Sequence, residues 1–158
     1  MNREQRRASR EKRQIRTRAY TADASAIYRT MSRVQPFTAG ELPTLQTPVR
    51  VAFESMRSGS GEEADFHTLA GAVNVALIRS ETIDPLCVET AQRAQASLMR
   101  ILDRHRRIGR WGIDSQALQD IPPALDLYEQ LLALSTPMQM QHAMQETLAR
   151  MQAGEVFR

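Results

Sequence analysis

The strongest constraint on the fold is the run from Phe66 to Ile78, which contains no Asp, Glu, Lys or Arg. Its large apolar residues recur with the 3.6-residue period of a helix, at Phe66, Leu69, Val73 and Leu77. A helix that is apolar around most of its circumference has to be surrounded by other elements. We therefore predict a helix over residues 62–81 as the central, most buried element of the fold.

Three other helix starts share one signature, a capping residue followed by proline at the first helical position. The capping side-chain oxygen accepts a hydrogen bond from an orphan backbone N–H, and proline has no N–H to leave unpaired. The three pairs are Thr47-Pro48, Asp84-Pro85 and Thr136-Pro137. They predict helices over 48–57, 85–108 and 137–153, and Pro122-Pro123 predicts another helix that ends near residue 134.

The composition indicates an all-α protein. Strong helix formers dominate the chain, and neither strand-period alternation nor an internal repeat is visible. We expect a small bundle of about five helices over residues 48–158, a linker over 35–47, and a basic N-terminal arm over 1–34. The residues expected on the apolar faces, outside the central helix, are Val49, Phe53, Met56, Leu86, Ala91, Ala94, Leu98, Ile101, Leu102, Ile108, Leu125, Tyr128, Leu131, Leu132, Met140, Met144, Leu148 and Met151.

Positive charge is concentrated in the arm. Residues 1–20 carry eight of the 21 Lys and Arg residues and two acids, a net charge of +6, whereas the whole chain is +3. Residues 21–158 therefore sum to −3. Residues 3–20 have a helix-forming composition but almost no apolar face, so we expect them to be helical or disordered and to fold on a partner. A polyanion is the natural partner of such a segment.

Nucleic acid is the polyanion that the arm residues favour. Arginine binds phosphate through a planar fork of donors, and an aromatic side chain can stack on a base. Residues 3–20 resemble the arginine-rich RNA-binding motif of phage transcription antiterminators, which also lies at the N-terminus and is followed by an aromatic residue. The alternatives are a solubilising tail and an arm that docks on an acidic protein. The predicted contact residues are Arg3, Arg6, Arg7, Arg10, Lys12, Arg13, Arg16, Arg18 and Tyr20.

A second basic cluster is predicted at the end of the 85–108 helix. At helical spacing Arg100, Arg104 and Arg107 share a face opposite Leu98, Ile101 and Ile108, and Arg110 and Trp111 follow. One interpretation is a second phosphate-binding surface with Trp111 as a stacking platform. The alternative is structural, because cations at a helix C-terminus are stabilised by the backbone dipole and a single Trp usually packs in a core.

The sequence predicts no catalytic site, metal site or cofactor. His67, His105 and His142 lie far apart and show no zinc-ligand spacing with Cys87, although Glu63 and His67 are four residues apart on one predicted helix. Cys87 is expected to be a small buried thiol, with a reactive thiolate as the alternative. A single cysteine cannot form an internal disulfide, which agrees with a cytoplasmic protein, and we expect no membrane span.

The last predicted helix is charge-poor and rich in Met and Gln, which favours a core or dimer-seam position over an adaptable docking face. As a whole the chain resembles small phage, prophage and plasmid proteins, some of which are labelled as transcriptional regulators; the residues that carry the likeness are 66–77 and 121–131. We therefore expect a non-enzymatic protein that binds RNA or DNA through its arm and uses the helical body to form a homodimer or to dock. The alternative is a protein-binding accessory factor, such as a phage assembly component or an inhibitor of a host enzyme.

Overall fold

The structure, a computed structural model, describes residues 33–154. Five α-helices lie in the unit that begins at Pro36. They are α1 (Leu42–Ser58), α2 (Glu63–Ser80), α3 (Pro85–Ile108), α4 (Ala117–Leu134) and α5 (Pro137–Gln152). The predicted all-α class is confirmed, because no strand occurs in the range that the structure describes.

Helix α2 is the central element, as its uncharged run predicts. It packs against each of the other four helices. Leu69, Val73 and Ala76 are completely buried, and Phe66 and Val75 are nearly so. The side chain of Asn74 is buried as well, and its Oδ1 accepts a 2.8 Å hydrogen bond from Nε2 of Gln95 on α3. This amide pair satisfies two polar groups inside an otherwise apolar contact.

The predicted ends of α3 and the predicted start of α5 are confirmed. Asp84 caps α3, with its Oδ1 accepting a 2.7 Å hydrogen bond from the Leu86 N–H. The helix ends at Gly109, whose φ of 69° lies in the left-handed region that glycine enters without steric cost. Thr136 and Gln139 form a reciprocal capping box at the start of α5. Local capping chemistry is therefore sufficient to place these ends.

Helix α1 begins six residues before the predicted start, inside the stretch that the sequence suggested was a linker. Pro43 lies in its first turn and takes the role expected of Pro48, which lies inside the helix. The carboxylate of Glu41 accepts 2.8 Å hydrogen bonds from the backbone N–H and hydroxyl of Thr38, which organises the preceding turn. Leu42 and Leu45 then pack against the core, so tertiary contacts hold the added turn in place.

Helix α4 also begins upstream of the predicted proline pair. Ala117 and Ile121 are completely buried one helical turn apart, and Asp114 accepts a 2.7 Å hydrogen bond from the Ala117 N–H. Pro122 and Pro123 therefore lie within the helix rather than at its first position. The burial of the first turn outweighs the backbone hydrogen bonds that two prolines cannot donate.

Most predicted apolar positions are buried or half-buried, with five exceptions. Leu86, Ile108, Met144, Leu148 and Met151 are all more than half exposed. The core interpretation of the Met-rich helix is therefore wrong for its last three apolar positions, although Met140 is buried. These positions are exposed because α5 packs mainly on α2 and leaves one flank without a neighbouring helix.

Ion pairs link different parts of the bundle. The guanidinium of Arg50 on α1 contacts Asp126 and Glu129 on α4 at 2.6 and 2.5 Å. Both terminal nitrogens of Arg150 on α5 donate to the carboxylate of Glu81, just after α2, at 2.6 and 2.8 Å. This bidentate pair fixes the free end of α5 against the end of α2.

The core assignment predicts unequal effects for two Leu-to-Ala substitutions. Leu98 is completely buried, so Leu98→Ala should lower the free energy of unfolding by about 2–5 kcal/mol through lost burial and the resulting cavity. Leu134 is 78% exposed, so Leu134→Ala should change it by less than about 0.5 kcal/mol. Urea denaturation followed by circular dichroism measures both, and equal losses would contradict the assignment.

The pair between Arg150 and Glu81 predicts a pH-dependent contribution to stability. The hydrogen bond from Arg150 holds the pKa of Glu81 below its ordinary value of 4.5. The unfolded chain therefore binds a proton at a higher pH than the folded protein, and the stabilisation is complete above the unfolded pKa. It is lost as the pH falls through the lower folded pKa.

Glu81→Gln should consequently destabilise the protein at pH 7 by no more than about 1 kcal/mol, since the pair is partly exposed. The difference in free energy of unfolding between the variant and the unmodified protein should shrink below about pH 4.5. Denaturation series at pH 7 and at acidic pH measure this difference. A difference that grows on acidification would contradict the assignment.

Candidate nucleic-acid interface

The last turns of α3 hold the predicted second basic cluster. Leu98 and Ile101 anchor this part of the helix in the core, and Arg100, Arg104 and Arg107 are exposed on its other side, as predicted. Ile108 does not share the buried face and is more than half exposed. The helix thus presents a row of arginines on its solvent side.

The charge around these arginines differs from that of the rest of the unit. Residues 36–154 contain ten arginines and fourteen carboxylates, a net charge of −4, and half of those arginines lie between residues 100 and 110. Only three carboxylates, those of Asp103, Asp114 and Asp120, accompany these five arginines, so this end of α3 is locally positive. Its side chains line a shallow depression of about 530 Å³ that includes Arg100, Arg104, Arg106 and Arg107.

Arg100 is engaged within the protein. Its Nη2 lies 2.6 Å from the hydroxyl of Ser97 and 3.6 Å from Oδ2 of Asp120. Ser97 is completely buried, and its hydroxyl donates a 2.6 Å hydrogen bond to the same carboxylate oxygen. This cluster joins α3 to the first turn of α4. Arg100 has a structural role here, and its contact with a polyanion stays a prediction.

The arginines beyond Arg100 are less neutralised. Arg106 lies 3.4 Å from the Asp103 carboxylate, and Arg107 donates a long 3.4 Å hydrogen bond to the Asp103 carbonyl. Arg104 and Arg110 have no carboxylate within 4.0 Å among residues 33–154. By contrast, all four arginines between residues 36 and 99 have a carboxylate or hydroxyl partner. The cations that lack an internal partner are thus gathered at one end of the unit.

Trp111 does not act as an open stacking platform. The His105 ring stacks on the indole with centroids 3.7 Å apart and planes 7° apart, and Phe66 stacks on it at 4.9 Å and 25°. Two rings of the protein already occupy the indole, so the stacking interpretation of Trp111 is wrong and the packing alternative is correct. This stack of three rings ties the last turn of α3 and the segment after it to the start of α2. Nδ1 of His105 is buried there without a hydrogen-bond partner in the described part of the chain.

The other predicted positions divide into two groups. The arm residues Arg3, Arg6, Arg7, Arg10, Lys12, Arg13, Arg16, Arg18 and Tyr20 lie outside the described residues, and their role stays a prediction. His67 and Glu63 form an exposed pair on α2 with 3.4 Å between Nε2 and Oε1. Within 33–154 no three His, Cys, Asp or Glu side chains cluster as a metal site would require. Cys87 is half-buried in the first turn of α3.

Two features were not predicted from the sequence. The cluster of Ser97, Arg100 and Asp120 joins α3 residues to one at least twenty positions later, so no local pattern signals it. An apolar groove of about 420 Å³ lies between α1 and α5 and has α2 as its floor. The small residues Gly71 and Ala72 in the central run are the local signal of the groove, because they leave the helix surface open.

The comparisons with known proteins identify no relative: no family model, no curated protein and no solved structure matches the chain. None of the helices in the described range is long and apolar enough to cross a bilayer.

The cluster around Asp120 predicts a larger energetic effect than a surface ion pair. Asp120→Ala removes the acceptor of the buried Ser97 hydroxyl and the partner of Arg100, so it should lower the free energy of unfolding by about 1–3 kcal/mol. Asp126→Ala removes an exposed partner of Arg50 and should cost less than about 1 kcal/mol. Denaturant titration of both variants measures this order, and the reverse order would contradict the structural role of Asp120.

Proposed function

We propose that this protein is a non-enzymatic nucleic-acid-binding or regulatory protein of phage or mobile-element type. The arginine-rich arm supplies most of the affinity for RNA or DNA, and the end of α3 supplies a second, smaller contact. The helical body carries these cations and provides the surface for self-association. We place this activity in the cytoplasm, where a chain with a single free cysteine remains reduced.

One observation carries the proposal, the separation of charge. The arm over residues 1–34 has a net charge of +7, of which residues 1–20 carry +6, whereas the unit over 36–154 has a net charge of −4. Within that unit Arg79 donates to the hydroxyl of Ser135, and the arginines with neither a carboxylate nor a hydroxyl partner in the described range are at the end of α3, where Arg104 and Arg110 lie. Phosphate groups are the ligands that such uncompensated guanidinium groups favour.

The dipole of helix α3 opposes phosphate binding at its C-terminal end. The C-terminus of α3 carries the negative end of the helix dipole, which repels phosphate and stabilises the cations placed there. The dipole is equivalent to about half a charge, however, and its effect is confined to the last turn. Arg104 lies one turn earlier and Arg110 lies beyond the helix end. The full positive charge of each side chain therefore exceeds the partial negative charge of the helix terminus.

Salt titration of binding tests the proposal. Each phosphate contact contributes about 0.7 to 0.9 to the slope of log K against log salt concentration. Replacing Arg6, Arg7, Arg10, Arg13 and Arg16 by Gln in the full chain should therefore flatten the slope by about 4 and weaken binding to single-stranded RNA and duplex DNA. A chain that starts at Thr21 should behave in the same way. Fluorescence anisotropy measures the affinities.

A matched pair of variants tests the second contact on the same helix. Arg104→Gln with Arg110→Gln should flatten the slope by about 1 to 2. Arg93→Gln, near the start of α3 and paired with Glu89 at 3.6 Å, should leave it unchanged. Equal, weak and salt-insensitive binding by the intact chain and the chain that starts at Thr21 would refute the proposal. Stoichiometric association with one protein that survives nuclease treatment would instead support the accessory-factor alternative.

A further inference from the structure

The apolar groove between α1 and α5 is a candidate for the self-association surface that the proposed function assigns to the helical body, and the inference below rests on that part of it. Its floor is one face of α2, formed by Thr68, Gly71, Ala72 and Val75, which recur at helical spacing. Its volume is about 420 Å³. Small side chains on the floor keep the groove open, so α1 and α5 flank α2 with room for the side chains of another helix between them.

The groove offers apolar contact and little else. Among residues 33–154, no charged side chain lines it. The hydroxyls of Thr68 and Thr147 are already used, since each donates to the backbone carbonyl four residues earlier, at 2.8 and 2.9 Å. Burial raises the pKa of Tyr128, which keeps that phenol neutral. An occupant therefore has to be uncharged and apolar where it meets the groove.

The exposed flank of α5 has these properties. Met144, Leu148 and Met151 follow one another at spacings of four and three residues, which places them in a row along the helix. Each is more than half exposed. The polar residues on the solvent side of this row are glutamines, at positions 141, 145 and 152.

The charged groups of α5 lie on its other side. Glu146 and Arg150 pair with each other there, and Arg150 also pairs with Glu81. The row of Met144, Leu148 and Met151 is therefore neutral along its length, and it forms one wall of the groove.

We infer that this groove binds α5 of a second copy of the chain. Because the row borders its own groove, a two-fold axis can place each row in the partner's groove, which is the self-complementary arrangement of an isologous dimer. The contact is a helix in a groove with anchors at i, i+4 and i+7. Each contact then joins an uncharged row to an uncharged groove. A charged segment or a polyanion would instead find no counter-ions on this surface.

The mass of the full chain in solution tests the inference. Sedimentation equilibrium at micromolar to 100 micromolar concentrations should give twice the 17.9 kDa chain mass. Met144→Glu places a charge in the groove contact and should raise the dimer dissociation constant at least tenfold. Met138→Glu is the matched control: it makes the same change on the same helix, at a side chain that is equally exposed and does not line the groove. It should leave the dimer intact.

A second variant separates loss of the contact from loss of folding. A Cβ at Gly71 meets no atom of another element within 4 Å, so a side chain can begin there, and Gly71→Leu places its remaining carbons on the groove floor. Leu also favours the helix more than Gly. This variant should keep the helical circular dichroism spectrum and sediment as a monomer. Retention of the dimer in Gly71→Leu, or equal dissociation of the two Met variants, would overturn the inference.

A monomeric unmodified chain throughout the concentration range would also overturn the inference, whatever other occupant the groove has. The mass measurement tests self-association separately from the proposed nucleic-acid binding, because it is made without nucleic acid and none of these variants removes an arginine. If both proposals hold, the dimer carries two arms, and linked arms raise the apparent affinity for a long polynucleotide without any new contact.

Discussion

The burial of α2 is the interaction on which the rest of the structure depends. All four neighbouring helices pack on it, and their buried apolar side chains join those of α2 in one core. Exposing a helix with thirteen consecutive uncharged, mostly apolar residues to water is unfavourable, so the other helices pack around it. The buried hydrogen bond between Asn74 and Gln95 adds a polar restraint to the contact of α2 with α3.

The two surfaces of interest follow from where this coverage ends. The last turns of α3 pack on the bundle through Leu102 and His105, and their exposed side carries arginines that find few carboxylates in the described range. Helix α5 covers only part of α2 and leaves a neutral groove beside it. One surface is charged and the other apolar, which suits a protein that associates with itself through one and with a polyanion through the other.

Much of the fold could be predicted because local chemistry determines it. The bounds of α3 follow from Asp84 and Gly109, and the start of α5 follows from Thr136. The starts of α1 and α4 could not be predicted, because burial of Leu42, Ala117 and Ile121 extends both helices past the prolines that local rules favour as first residues. The basic cluster was visible in the sequence, but the engagement of Arg100 and Trp111 with distant residues was not.

Arginine reactivity tests the central claim, that the cations available to nucleic acid are separate from those used in internal ion pairs. The full chain would be labelled with phenylglyoxal with and without a saturating polynucleotide, and the modified positions located by mass spectrometry. The account predicts protection of the arginines in residues 3–18 and of Arg104 and Arg110, with Arg57 and Arg93 unchanged. Protection that is absent, or equal at all these positions, would contradict it.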